Sequence, residues 1–327
     1  MESMNYFNDD ANREYSQTFK TFNKKPSSFR EQIEKLESRG MLFADKDTAF
    51  FLLQHINYYR LEAYWFTYYD SKEQDHRFLA DTNFSNIWRD YSFDRKLRAH
   101  ILRGLERIEV SFRTQFTYFL AHKYGGFPFK REYFYFDETT WDENHDALKK
   151  ICRESGKQFA THLRSCYGLE IFPIWALTEL LSFGKTVVFY KKLKDSTLKK
   201  QISRVYGIEP QILDSWLDHL YSVRNLCAHH ARLWNRRFVK TPKESKNIRQ
   251  DIGSRWLSQL QEPREDDPRN ERRIYNTLLI VDYLLSNICP KNSWKKDLVN
   301  LILEYGIDTK RMGFPDNWTE DAYWICD

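Results

Sequence analysis

The chain has few of the residues that interrupt helices. Its 327 residues include 11 glycines and 9 prolines, too few turn-formers for a many-stranded β protein. Cysteine is also scarce: Cys152, Cys166, Cys227, Cys289 and Cys326 are scattered and odd in number. The opening MESMNYFNDDANREY is polar and acidic, unlike a secretory signal, so reduced thiols in a cytoplasmic protein are expected. No long hydrophobic run occurs. The most apolar stretch, Leu278 to Leu285, is interrupted by Asp282 and is far shorter than a bilayer requires, so no membrane partner is expected. Neither CxxC nor HExxH is present. Cys227/His230 and His162/Cys166 have helix-compatible spacings, yet nothing requires the pairs to meet, and no metal or cofactor is expected. A strong excess of one charge is missing too. With 51 Lys+Arg against 46 Asp+Glu, the net +5 does not by itself imply nucleic acid, and local distribution matters more.

Aromatic residues are abundant: 24 Phe, 20 Tyr and 10 Trp. Residues 1–22 show no apolar periodicity and read as a loose N-terminal arm. A helical pattern starts at Ser28 and stops at Gly40. Asp45 or Asp47 can cap the next helix, which carries Ala49, Leu52, Leu53 and Ile56 into NYYRLEAYW. A long helix is expected from Ser92 to Lys123, with Leu97, Ile101, Leu105, Ile108, Phe112, Phe116 and Phe119 on one stripe. Residues 127–145 are aromatic and irregular. Helices are then expected from Ala147 to His162 and from Ile174 to Leu193, with Pro173 in the first turn of the second. A shorter helix follows, and another begins near Pro210. After a loop at Glu262–Pro268, closing helices run over 271–287 and 294–305. The expected architecture is an all-α bundle, divided into the arm 1–22, a helical N-terminal extension 23–84, a helical domain 85–310 and a tail 311–327.

The run RNLCAHHARLWN carries the chemistry. Arg224 precedes His229 by five residues, with Asn225 beside the arginine. A guanidinium grips phosphate as a planar, permanently charged fork, and imidazole moves protons near neutral pH. At about 100° per residue, Leu213, Leu217, Leu220, Arg224 and Cys227/Ala228 share one stripe. Asp218, Ser222, Asn225 and His229 share the polar face, so Asn225 can orient the imidazole. Arg224 leaves the helix about 140° from His229, and one copy does not easily aim both groups at one phosphate. Two copies across a two-fold axis can. The competing reading makes Arg224 a buried ion-pair anchor to Glu106, Glu109 or Glu179. The same spacing recurs in Arg95–His100, but without the asparagine or the second histidine. That copy reads as a solvated face of the long helix.

RNLCAHHARLWN resembles the signature of the AbiD/AbiF-type abortive-infection proteins, a branch of the HEPN superfamily. KPSSFREQIEKLESRGM, INYYRLEAYW, FDRKLRAHILRGLERIEVSFR, FPIWALTELLSFG and MGFPDNW agree, in the same order, from about Lys24 to Trp318. The resemblance implies a HEPN-type helical bundle, usually dimeric, whose R-x4-H pair is a metal-independent ribonuclease site. It also implies a toxin or phage-defence role, and some relatives pair with a small noncoding RNA. The family's arginine falls on Arg224, its polar neighbour on Asn225 and its histidine on His229.

In that chemistry an RNA 2′-hydroxyl attacks the adjacent phosphorus, giving a 2′,3′-cyclic phosphate and a 5′-hydroxyl. His229 transfers the proton, Arg224 neutralises the growing phosphoryl charge, and Asn225 holds the imidazole or contacts phosphate. His230 is read as supporting the site from behind or as core. DNA lacks the 2′-hydroxyl and is not expected to be cut. Between Arg232 and Arg249 stand seven Lys/Arg and one acid, a tract that reads equally as a solvated face or as a path for RNA backbone. On the second reading Arg232, Arg236, Arg237 and Lys240 are the expected RNA contacts, Arg232 foremost because the resemblance places it in the family signature. The tract Lys185–Arg204 is also basic but reads as a solvated face, and NYYRLEAYW reads as core. The rival to catalysis is a HEPN module that holds a partner RNA without cutting it.

Overall fold

Capping residues written into the sequence set many of the helix boundaries. A computed structural model describes residues 25–73, 75–245, 255–256 and 272–325. The expected arm over 1–22 and the loop Glu262–Pro268 lie outside the described residues. The fold is all-α: among the described residues there are helices and isolated β-bridges but no strand. No helix there is long and apolar enough to cross a membrane.

The chain divides into two compact units. The smaller comprises residues 1–60 and 68–84. Its first helix, α1 (Phe29–Ser38), begins in a reciprocal capping box: the Glu31 N–H donates to Ser28 Oγ, and the Ser28 N–H to the Glu31 carboxylate. Helix α2 (Lys46–His55) is capped by Asp45, which accepts from the N–H groups of Asp47 and Thr48. The expected continuation into NYYRLEAYW breaks at Ile56, whose backbone is extended, and α3 (Tyr58–Trp65) starts anew. Leu61, Tyr64 and Trp65 are buried, and residues 61–67 belong with the larger unit.

The larger unit spans residues 61–67 and 85–327. Helix α4 runs from Phe84 to Tyr124, 41 residues, and starts eight positions before the expected Ser92. Its buried face reads Ile87, Asp90, Phe93, Asp94, Leu97, Arg98, Ile101, Leu105, Ile108, Phe112, Phe116 and Leu120. The helical period therefore continues upstream through acidic positions, which concealed it. At the far end Leu120 takes the buried place expected of Phe119.

The remaining α-helices among the described residues are α5 (Glu138–Glu154), α6 (Gln158–Tyr167), α7 (Ile174–Leu177), α8 (Phe183–Lys192), α9 (Ser196–Val205), α10 (Pro210–Ala228), α11 (Tyr275–Ile288) and α12 (Trp294–Tyr305). Asp137 caps α5 through the Thr140 N–H, so that helix begins inside the stretch expected to be irregular. Ser182 caps α8 and divides the single helix expected over 174–193. In the described part of the tail, Phe314 and Trp324 pack against Tyr275 with ring centroids 4.8 and 5.9 Å away.

Candidate active site at the end of the motif helix

Helix α10 opens with proline at its first turn, where a missing N–H costs nothing. It buries Leu213, Trp216, Leu217, Leu220, Val223 and Cys227 and ends at the motif. Arg224 is half-buried, and its Nη1 donates to Asn225 Oδ1 at 3.4 Å. It forms no ion pair among the described residues: Glu109 pairs with Arg113, and the Glu179 carbonyl takes Lys157. The asparagine side chain thus meets the arginine, and it is the backbone carbonyl of Asn225 that accepts from the His229 backbone N–H, at 2.9 Å.

His229 is the C-cap residue, with φ −87° and ψ 10°, outside the helical range, and it is exposed. His230 has φ 56°. Its N–H donates to Cys227 O at 3.1 Å, and the Ala231 N–H to Leu226 O at 2.9 Å. This pair of bonds closes a helix end in the way that usually calls for glycine at the left-handed position. His230 is exposed, which corrects the core placement. Both histidines are therefore exposed at the C-terminal end of the helix. Cys227 behind them is buried, and burial next to Asp94 pushes its thiol up to about 12.

What fixes this terminus is a buried network that the sequence reading overlooked. Asp94 of α4 is fully enclosed. Its carboxylate accepts from the Leu233 N–H at 3.1 Å, the Trp234 N–H at 2.7 Å, Tyr64 Oη at 2.7 Å and the Arg98 guanidinium. Burial pushes the Asp94 carboxyl up, against the pull of Arg98 and of these hydrogen bonds. Arg98 also donates to Ala231 O at 3.3 Å. The chain leaving His230 is thus held at three consecutive peptide groups. From other sides, Arg273 donates to Asn235 O at 3.1 Å, and Arg311 lies over the Trp234 ring at 5.6 Å. The ARLWN half of the signature anchors; the RNLCAHH half presents. An available signal was the pair Asp94/Arg98, four residues apart and in phase with the apolar stripe of α4.

The expected RNA contacts separate. Arg232 is half-buried: Nη1 donates to Ala63 O at 2.7 Å, and the guanidinium lies 4.6 Å from the Phe66 ring centre. Burial pulls its pKa down, as it does for Arg236. Arg237 and Lys240 are exposed. Beyond the motif the chain returns along α10, with the Lys243 carbonyl accepting from Trp216 Nε1 and Ser245 Oγ donating to Glu209. His219 closes this return. It is buried, meets Thr277 Oγ1 at 2.8 Å and Phe238 at 5.1 Å, and burial pulls it down to about 4. Lys246 and Arg249 of the basic tract lie outside the described residues.

The second R-x4-H copy is not simply a solvated face. Arg95 is exposed, but His100 is half-buried and stacks on Trp294 with ring centroids 4.8 Å apart. Burial pulls that imidazole down to about 4. Among the described residues no three or more His, Cys, Asp or Glu side chains are grouped to hold a metal; His162 Nδ1 and Cys166 Sγ meet at 3.3 Å on α6. A family model described as Abi-like protein matches residues 51–235, more than half of the chain and the whole of the motif. No curated protein and no solved structure matches it.

Proposed function

The chain belongs to the Abi-like protein family, an abortive-infection family, and from that premise we propose that it acts in phage defence as a metal-independent endoribonuclease of the HEPN type. The observation that carries the reading is the motif terminus. Arg224 has no acidic partner among the described residues, and His229 and His230 stand exposed on a turn clamped from behind. The RNA 2′-oxygen forms a bond to phosphorus while the bond to the 5′-oxygen breaks, leaving a 2′,3′-cyclic phosphate and a 5′-hydroxyl. His229 transfers the proton, and Arg224 neutralises the oxygens that gain charge. Asn225, bonded to Arg224, steers the guanidinium more directly than the imidazole.

Helix α10 is regular up to Ala228, the residue before His229, and on ideal helix angles Arg224 and His229 leave the axis about 140° apart. A homodimer supplies both groups to one cleft, an arginine–histidine pair from each copy. Light scattering tests this: a monomer with full activity at micromolar concentration removes the dimer from the reading.

The primary experiment incubates wild type, His229→Ala and Arg224→Ala with end-labelled structured RNAs in EDTA and identifies the product ends. Wild type is expected to give cyclic phosphates, with His229→Ala slower by about 10²–10⁴-fold. Intact RNA in every sample, bound by all three proteins, would favour a module that holds a partner RNA. Equal cutting by wild type and His229→Ala would overturn the assignment of His229. Activity lost in EDTA and restored by Mg²⁺ or Zn²⁺ would overturn metal independence.

A further inference from the structure

Two stretches that the active-site reading leaves unused, the aromatic run after α4 and the basic tract around the end of α8, meet on the surface of the larger unit. An isolated antiparallel bridge joins Phe134 to Leu193. It is closed by the Tyr135 N–H on Lys192 O at 2.7 Å and the Lys194 N–H on Tyr133 O at 3.0 Å. Phe134 and Leu193 point into the core. Their neighbours Tyr135 and Lys194 are exposed, and Tyr133, which ends a short 3-10 helix (Arg131–Tyr133), is half-buried. Tyr135 is 64% exposed, with Lys194 Nζ 5.6 Å from its ring centre. Beside it Tyr133 stacks on Tyr124, centroids 4.1 Å apart and planes 16° from parallel. Lys130 Nζ lies 6.0 Å from the Tyr133 ring, and Lys192 Nζ 5.8 Å from Phe136. These three lysines are exposed and form no salt bridge with a described residue.

The patch also has a direction. Lys191, next to Lys192, pairs with Asp218 of α10 at 3.0 Å. Asp218 shares a helix face with Ser222, Asn225 and His229, and its rise to His229 is about 16 Å. A strand seated on the patch can follow that face to the histidine.

We propose that this surface is a stacking platform for single-stranded RNA, with Tyr135 and the Tyr133–Tyr124 stack receiving bases and Lys130, Lys192 and Lys194 holding phosphates. Every base has a face that an aromatic ring can stack on, and clustered cations track the backbone without reading sequence. A duplex keeps its bases inside and gains nothing from the rings. The choice of RNA rests on the ribonuclease reading above; the platform itself does not require cleavage.

The test uses His229→Ala protein, which leaves the strand uncut, and a labelled short unstructured RNA followed by fluorescence anisotropy. Adding Tyr135→Ala is expected to weaken binding about tenfold, while Tyr135→Phe keeps it. Lys192→Gln with Lys194→Gln is expected to reduce the slope of log affinity against log salt by about 1.4. A blunt RNA duplex should lose little with Tyr135→Ala. Unchanged affinity for the single strand in all variants would overturn the proposal. So would losses confined to phosphatidylserine/phosphatidylcholine vesicles, which would mark a lipid-facing surface. Tyr135→Ala alone separates the two readings. Wild type that never cuts, with single-strand binding that still depends on Tyr135, removes the nuclease and keeps the platform. Cutting and binding both indifferent to Tyr135 remove the platform alone.

Discussion

Asp94 accepts hydrogen bonds from Tyr64, Arg98, Leu233 and Trp234, and none of these is a ligand. Replacing it by alanine would leave Arg98 buried without its counter-charge and strand two peptide N–H groups, a change that costs about 3–5 kcal/mol. For a chain of this size the expected fall in melting temperature is on the order of 10 °C. Asp94→Asn keeps one acceptor and should lie between. At a temperature where both variants remain folded by circular dichroism, RNA cleavage should still fall, because the turn after His230 is no longer held. An unchanged melting temperature in Asp94→Ala would show that the network does not carry this load. His230 presents the opposite case. A non-glycine residue at φ 56° is strained by roughly 1 kcal/mol, so glycine there should be tolerated or slightly stabilising. If His230→Gly keeps its melting temperature but loses RNA binding, the imidazole is kept for its chemistry; a drop of several degrees would make the ring structural.

At the scale of elements, one close approach deserves a direct test. Gly104 lies on the buried face of α4, and a methyl group there would meet Val281 of α11 and Trp294 Nε1, each at 2.8 Å. Gly104→Ala is expected to destabilise by about 1–3 kcal/mol through overpacking, read as a lower urea midpoint with unchanged slope. Much of the helical layout was legible because its determinants are local. Ser28, Asp45 and Pro210 announce their helices, and the Leu97–Phe116 stripe lies where the 3.6-residue period puts it. The start of α4 was not legible. Asp90 and Asp94 occupy core positions that the hydrophobic pattern treats as polar, and what makes them tolerable inside comes from residues far along the chain. The candidate site divides the same way. The order Arg224, Asn225, His229 is read from the chain, but the burial of Arg232 depends on Ala63 and Phe66, which no periodicity connects to it.

For the molecule as a whole, acid should act in two separate windows. His219 sits in the core with its proton affinity pulled down to about 4. In the unfolded chain an imidazole takes its proton near 6.5. Between those values the unfolded state binds the extra proton, so stability falls as pH drops from about 6.5 towards 4 and stays at the lower level beneath. At about 1.4 kcal/mol per unit, His219 alone contributes about 3 kcal/mol at neutral pH that is lost across this window. His100 adds a smaller share of the same sign, since its ring is only part-buried. The carboxylates behave differently. Asp195 is held at about 2 despite burial, by Lys123, the Leu198 N–H and Tyr124, while Arg103 and Arg255 hold Asp297 and Asp321 below the usual range. Their contribution persists above the unfolded carboxylate range and is lost only as pH falls below about 4. Urea unfolding at a series of pH values should therefore show a first decline between 6.5 and 4 and a second one beneath it. His219→Gln, whose side-chain amide can donate to or accept from Thr277 Oγ1 but cannot titrate, should flatten the first decline and leave the second. A first decline of unchanged depth in that variant would place the acid sensitivity in other groups.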